Sequence, residues 1–293
     1  MWTLRSASRR SDADCWPGSP CWPESPPEHG RREGRARLGA SSERLPVIGG
    51  GTIAAQTRRG AHPKDERCFC EDSVPRLAIA TQELSWLLGR GYAPKAALKL
   101  VGDRHQLIDR QRRAIGRCAA SEEAVSRRTA KHLPAAELRG RELWIDGYNV
   151  LLTVETAISG GVLLLGRDGV LRDLSALSRH YRQLAVTRPA LVTIGRFLAT
   201  QRVERVRWLF DRPISNSGRL RGLALELARD NGWPWTAELD DDPDGALVAC
   251  GGLVATADSA VLEGCVGWVN LVREIVEATC DGAWVVDLST GSS

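Results

Sequence analysis

The segment Glu142–Leu152 constrains the fold of this chain more than any other stretch. Leu143, Trp144 and Ile145 form a short apolar run that stops on Asp146, and Gly147-Tyr148-Asn149 follows as a turn. The run reads as a buried strand. A parallel α/β sheet places its chemistry at the carboxyl ends of its strands, so Asp146 stands where such a sheet puts a metal ligand or a catalytic acid. Two later segments repeat the pattern. Val203–Phe210 is strand-like and ends on Asp211, and Gly252–Ala257 is strand-like and ends on Asp258. If all three strands share one parallel sheet, the three carboxylates converge in a single cleft, an acidic site suited to a hard cation. Taken singly, each aspartate also reads as a turn or cap residue.

The rest of residues 141–293 alternates strands and helices, which predicts a mostly parallel sheet with helices on both faces. Helical patterns are expected at 149–158, 169–184, 188–199, 216–230 and 271–278. Further strands are expected at 204–210, 235–239 and 253–256, with 284–288 a candidate edge strand. Asp168 and Asp173 flank the start of the second of these helices, and Asp168 reads as its cap. Asp240-Asp241-Asp242-Pro243-Asp244 reads as a loop overhanging the site, with Asp244 its one candidate ligand. Between Asp211 and the helix from 216, Ser215 and Asn216 are placed to cap the helix. Free N–H groups there attract anions, and Arg212 and Arg219 would add contacts to a phosphate.

Residues 76–140 read as a separate, small all-helical module. Leu77, Ala80, Leu84, Leu87 and Leu88 follow helical spacing, and Gly89-Arg90-Gly91 ends that helix. Pro94 opens the next helix, with Leu98, Val101, Leu107, Ile108 and Ile115 facing inward. Lys99, Asp103, Gln106, Arg110, Arg113 and Arg117 step along the opposite face. Ser121-Glu122-Glu123 starts a third helix. Charge sets this module apart. It holds 13 Lys/Arg against 6 Asp/Glu, whereas residues 141–293 hold 15 against 20. The basic face reads either as a solvated helix surface or as a contact for a phosphate backbone, carried by Arg110, Arg113 and Arg117. Trp86 and Tyr92 are its only aromatics, too few for a reader of single-stranded sequence.

Residues 1–75 are rich in Pro, Gly, Ser and Arg and lack periodicity. They read as a disordered tail or an over-extended start, with a stable body beginning near Val74. No run approaches the ~20 apolar residues that span a bilayer, and the amino terminus lacks the apolar core of a secretory signal. The 8 cysteines include no CxxC pair, so reduced thiols in a cytoplasmic protein are expected. GxGxxG after a strand and GxSxG are both absent. A phosphatase that works from a first-strand Asp wants a second Asp two residues on, where this chain has Tyr148.

Asp146-Gly147-Tyr148-Asn149-Val150-Leu151 resembles the first-strand signature of PIN-like nucleases, particularly their NYN branch. Val254-Ala255-Thr256-Ala257-Asp258-Ser259 resembles that branch's later strand, with its Thr-x-Asp-Ser turn. Leu100–Leu107, continuing to Arg110-Gln111-Arg112, resembles the helical module catalogued as family 434 of domains of unknown function in uncharacterised prokaryotic proteins. That module commonly precedes a PIN-like domain. The resemblance covers roughly residues 76–290. It implies a metal-dependent endoribonuclease in which carboxylates hold Mg²⁺ or Mn²⁺ for phosphodiester cleavage. Asp146, Asp211 and Asp258 would be the catalytic ligands, joined by Asp244. Asn149 would hold Asp146 or a water, with Ser215, Asn216 and Ser259 in support. The implied partner is nucleic acid, RNA in preference to DNA. Many PIN domains carry a second acid two residues past the later-strand Asp, where this chain has Ala260, which weakens a full two-metal site. The alternative is a catalytically inactive module that binds RNA or protein.

Overall fold

The computed structural model describes residues 60–174, 181 and 183–290. Packing begins at Asp65. Helix α1 (Asp65–Cys68) buries Asp65, Cys68 and Phe69, so the body begins some ten residues before the expected Val74. The part of the expected tail before residue 60 lies outside the described residues. Helices α2 (Val74–Gly89), α3 (Pro94–Arg104), α4 (Asp109–Cys118) and α5 (Glu122–Lys131) complete the helical module. Leu77, Ala80 and Leu84 of α2 meet Ala97, Val101, Leu107 and Ile115 in one core. Ser121 caps α5 by accepting the Ala124 amide at 3.2 Å.

The second helix of this module breaks where continuous spacing was expected. Gln106 adopts a left-handed φ of 51°, and the Leu107 amide returns to the Gly102 carbonyl at 2.8 Å. That geometry closes a helix. Ile108 becomes the N-cap of α4 and is exposed, not inward-facing. Lys99, Asp103 and Gln106 therefore share no helix with Arg110, Arg113 and Arg117.

The α/β part continues with β1 (His132–Leu133), β2 (Glu142–Asp146), α6 (Gly147–Ile158), β3 (Leu163–Leu165), β4 (Leu171–Asp173) and α7 (Thr187–Thr200). Next come β5 (Arg205–Asp211), α8 (Ser217–Asn231), β6 (Trp235–Asp240), α9 (Pro243–Ala249) and β7 (Leu253–Ala255). Last are α10 (Ser259–Gly264), β8 (Gly267–Val269), α11 (Leu271–Thr279) and β9 (Val285–Asp287). Six strands form a sheet in the order β1-β8-β7-β2-β5-β6, every pair parallel. The inner strands β2, β5, β7 and β8 alternate between two cores. Leu143, Ile145, Trp208, Phe210, Leu253 and Ala255 face α6, α7, α8 and α11. Leu209, Val254 and Trp268 face α9 and α10. The sheet is thus covered on both faces, as an all-parallel sheet must be.

The chain runs outward from β2 through β5 to β6, then returns to β7 on the other side of β2. The strand order reverses there, and the crevice between the carboxyl ends of β2 and β7 is where α/β sheets take ligands. A second sheet, β4-β3-β9, joins the two parts of the protein. Across β3, Leu163 enters the main core while Leu164 enters the core of the helical module beside Val286 and Leu288. The expected helix at 169–184 begins instead as β4, the return strand of a hairpin whose turn carries Gly169 at φ 73°. Residues 175–180 and 182 of that stretch lie outside the described residues. Among the described residues, no helix is long and apolar enough to cross a membrane.

Candidate functional site

Asp146 ends β2 and caps α6. It accepts the Asn149 backbone amide at 3.2 Å and also the Asn149 side-chain amide, so Asn149 holds it in place as expected. A third donor comes from the neighbouring strand, where Thr256 Oγ1 lies 2.8 Å from Asp146 Oδ2. The same Thr256 oxygen accepts the Asp258 amide at 3.0 Å. Thr256 therefore ties the two strand ends of the crevice together. Asp146 is buried, and that desolvation pushes its carboxyl up to about 6. The three hydrogen bonds pull against the shift and the nearby Asp244 charge adds to it.

Asp258 follows β7 and caps α10, accepting the Ala260 and Val261 amides at 2.7 and 3.2 Å, both through Oδ1. Asp211 ends β5, the strand on the other side of β2, and is half-buried. Burial raises its carboxyl above the ordinary carboxylate range. Asp244 lies not in a loop but in the first turn of α9, whose cap is Asp242, through an acceptor contact of 3.1 Å from Gly245 N. Partial desolvation raises the Asp244 carboxyl, and repulsion from Asp258, Asp211 and Asp242 raises it further. Asp244 thus stands within electrostatic reach of Asp146, Asp211 and Asp258 at one end of the sheet.

Gly147 lets the β2 and β5 ends approach. A Cβ there would lie 2.3 Å from Phe210 Cδ1 and 2.6 Å from the Leu209 carbonyl oxygen. Because a backbone atom is among those contacts, rotamer changes cannot relieve the clash. Gly147→Ala should cost about 1–3 kcal/mol, read as a lower urea midpoint at unchanged slope. A midpoint at or above the wild type would show that β5 can yield.

Next to these groups lies the hydroxyl of Tyr148. Its side chain is buried edge-on against Tyr181 and Phe210, at ring separations of 5.3 and 5.7 Å, and among the described residues the hydroxyl has no hydrogen-bond partner. Burial pushes its pKa above the ordinary phenol range, and the Asp211 charge pushes it further.

The remaining candidates divide. Ser259 opens α10 and is exposed, as is Ser215. Asn216 occupies the N-cap position of α8 in a left-handed conformation (φ 67°), and its side chain does not cap. It donates instead to the Tyr181 carbonyl at 2.9 Å. Arg212 pairs with Asp241 at 3.2 Å and donates to the Leu239 carbonyl at 2.7 Å, whereas Arg219 is exposed in the first turn of α8. Arg110 is not a surface cation. It turns onto the buried carboxylate of Asp65 with two hydrogen bonds. Arg113 is exposed, and Arg117 is half-buried, its Nε without a partner among the described residues. Lys99 and Arg112 both pair with Asp103. Of the three arginines expected to read a phosphate backbone from this module, one is committed to the fold.

Asp168 is no helix cap. It sits in the β3–β4 turn, buried, and takes both ends of the Arg172 guanidinium at 2.7 and 2.6 Å together with Arg128 at 2.5 Å. Burial works against the Asp168 charge, and the two arginines outweigh it, holding its carboxyl below the usual range. Asp173 is buried and accepts from Thr153 at 3.0 Å.

A hard divalent cation asks for oxygen ligands on a carboxylate frame. Asp146, Asp211, Asp244 and Asp258 offer only oxygen, and their mutual repulsion is the condition a cation relieves. The fit is one of donor type. Among the described residues, no three His, Cys, Asp or Glu side chains form a ready-made cluster for a metal ion. Water would have to complete the shell, as it usually does for magnesium.

Residues 76–131 match a family described as a protein of unknown function (DUF434), and residues 135–274 match a domain of unknown function (DUF5616). An uncharacterised protein of Methanocaldococcus jannaschii is 27% identical over 141 residues, which cover 48% of this chain and 67% of that protein. No solved structure matches.

Proposed function

Starting from a chain that carries a DUF434 domain followed by a DUF5616 domain, we propose that it is a divalent-metal-dependent phosphodiesterase acting on nucleic acid in the cytoplasm, with RNA the preferred substrate. The observation that carries the reading is the set of four aspartates at one end of the parallel sheet, two of them joined through Thr256 at the point where the strand order reverses. The resemblance of the Asp146–Leu151 and Val254–Ser259 segments to PIN-like nucleases points the same way. The six cysteines among the described residues are all free thiols, which suits a reducing compartment.

Asp146 and Asp258 would hold Mg²⁺ or Mn²⁺ with Asp211 and Asp244. The ion, when bound, would activate water and neutralise charge on the departing oxygen. The chain's own residues do the positioning. Thr256 and Asn149 fix the Asp146 carboxylate, and the α10 amides fix Asp258. Of the arginines expected to contact a phosphate backbone, Arg113 and Arg219 are exposed and would be placed to meet one.

The deciding experiment is Mn²⁺-dependent cleavage of mixed RNA and DNA by the wild type and by Asp146→Asn. The wild type should cut RNA and the variant should bind without cutting. Arg113→Glu with Arg219→Glu should weaken binding and flatten its salt dependence, by about 0.7 in log–log slope for each single-strand phosphate no longer neutralised. Arg110 is left out because its replacement would strand Asp65. Binding without cutting under Mg²⁺ or Mn²⁺ would favour an inactive RNA-binding module. Neither binding nor cutting would remove the nucleic-acid reading altogether.

A further inference from the structure

Helix α5 belongs to the DUF434 domain but grips the DUF5616 domain beside the acidic cleft. Arg127 Nε and Arg128 Nε reach the two carboxylate oxygens of Glu263 at 2.9 and 3.0 Å, and Lys131 Nζ reaches the Glu263 carbonyl at 2.6 Å. Trp268 Nε1 donates to the Arg128 carbonyl at 2.8 Å. Glu263 lies at the end of α10, the six-residue helix whose first turn Asp258 caps. The other end of the Arg128 guanidinium meets Asp168 at 2.5 Å. Asp168 aligns Arg172, and Arg172 Nε donates to the Ala257 carbonyl at 3.0 Å, one residue before Asp258 and one after Thr256. Two chains of contact therefore start at Arg128 and end on either side of Asp258. Arg128, Asp168 and Arg172 are all buried, so little solvent screens the route through Asp168, while the route through Glu263 is partly exposed.

We propose that Arg128 is a positioning residue for the acidic cleft, and that the DUF434 domain is a built-in wall of that site, setting where Asp258 and Thr256 stand relative to Asp146. This rests on the metal-site reading given above. Buried groups that orient a ligand commonly alter metal affinity about 10–100-fold when removed.

The test uses the full chain with Arg128→Met, Arg128→Lys and Glu263→Gln. Amide hydrogen exchange across residues 256–262 reads the position of the turn directly. Mn²⁺ alone, titrated and followed by electron paramagnetic resonance, reads the site. Arg128→Met should speed exchange at Ala260 and Val261 about tenfold or more, with Trp208 and Leu209 of β5 unchanged. Its Mn²⁺ affinity should fall about tenfold or more, and Arg128→Lys should recover part of both. If Arg128→Met fails to fold, Glu263→Gln carries the test, since it loosens α10 while leaving the Asp168–Arg172 pair. Wild-type exchange at residues 256–262 in a folded variant would overturn the proposal. So would wild-type Mn²⁺ affinity in that variant. If the wild-type protein binds no Mn²⁺, the metal reading fails on its own, and the exchange data still decide whether Arg128 positions the turn.

Discussion

Asp146→Asn should make the metal-free protein more stable while removing its proposed activity. The Asp146 carboxyl sits buried at about 6, against an ordinary 3.8. Between those values the folded chain keeps a proton that the unfolded chain has released. Stability therefore falls as pH rises through this window, by a total of about 3 kcal/mol, and the penalty is fully present above about pH 6. Asparagine carries no charge there, yet still caps a helix and accepts the Thr256 hydroxyl. In EDTA at pH 8 the variant should be about 1–3 kcal/mol more stable than wild type, and below about pH 4 the gain should vanish. Urea titrations at pH 4 and pH 8 measure both. Added Mn²⁺ should then stabilise the wild type and leave the variant unmoved. A variant less stable than wild type at pH 8 would mean that the buried charge is not held against its preference.

Arg172→Met should be among the most damaging single changes in the α/β part. Arg172 is almost fully buried. Desolvation works against its charge, and pairing with Asp168 more than offsets it, holding the guanidinium above the ordinary arginine range. Removing it leaves Asp168 buried with Arg128 as its one cation beside the Val170 amide, and leaves the Ala257 carbonyl without the Arg172 donor. Breaking a buried pair from one side typically costs about 3–5 kcal/mol. Replacing both partners, Arg172→Met with Asp168→Leu, should recover much of that loss, because the buried pair had to be desolvated in the first place. Equilibrium unfolding of the two variants separates the cases. A single variant within about 1 kcal/mol of wild type would show that Arg128 alone satisfies Asp168.

The expected elements that matched longest were those whose reason is local. The strands ending on Asp146 and Asp211 are runs of apolar residues stopped by a charge, and a sheet covered on both faces leaves little else for such runs to be. Helices α6, α7, α8 and α11 fell within two residues of their expected limits because periodicity and flanking breakers act over a few positions. Strands β3, β4 and β8 have three residues each, too short to show a period. In β3, moreover, Leu163 and Leu164 are equally apolar because each faces a different core. The break at Gln106 was hidden for another reason. Nothing in the side chains of Arg104-His105-Gln106 forbids a helix, and the left-handed turn forms because Leu107 and Ile115 must both reach the module's core.

For the site, the sequence by itself placed Asp146 and Asp211 at strand ends, whereas the strand expected to end on Asp258 stops at Ala255 and Asp258 caps the helix that follows. The sequence also placed Asn149 where it could hold Asp146, since three residues along a helix start is a local distance. Only the tertiary structure decided which charges are committed elsewhere. Arg110 and Asp65 are 45 residues apart and Arg128 and Asp168 are 40 apart, so neither pairing is visible from spacing. Thr256 and Asp146 are separated by 110 residues, and their hydrogen bond exists because β7 lies beside β2 in the sheet. Local chemistry sets what a residue can do; strand order and packing set which partner it finds, because hydrogen bonds and ion pairs act only over a few ångströms while the chain between their partners is unconstrained in length.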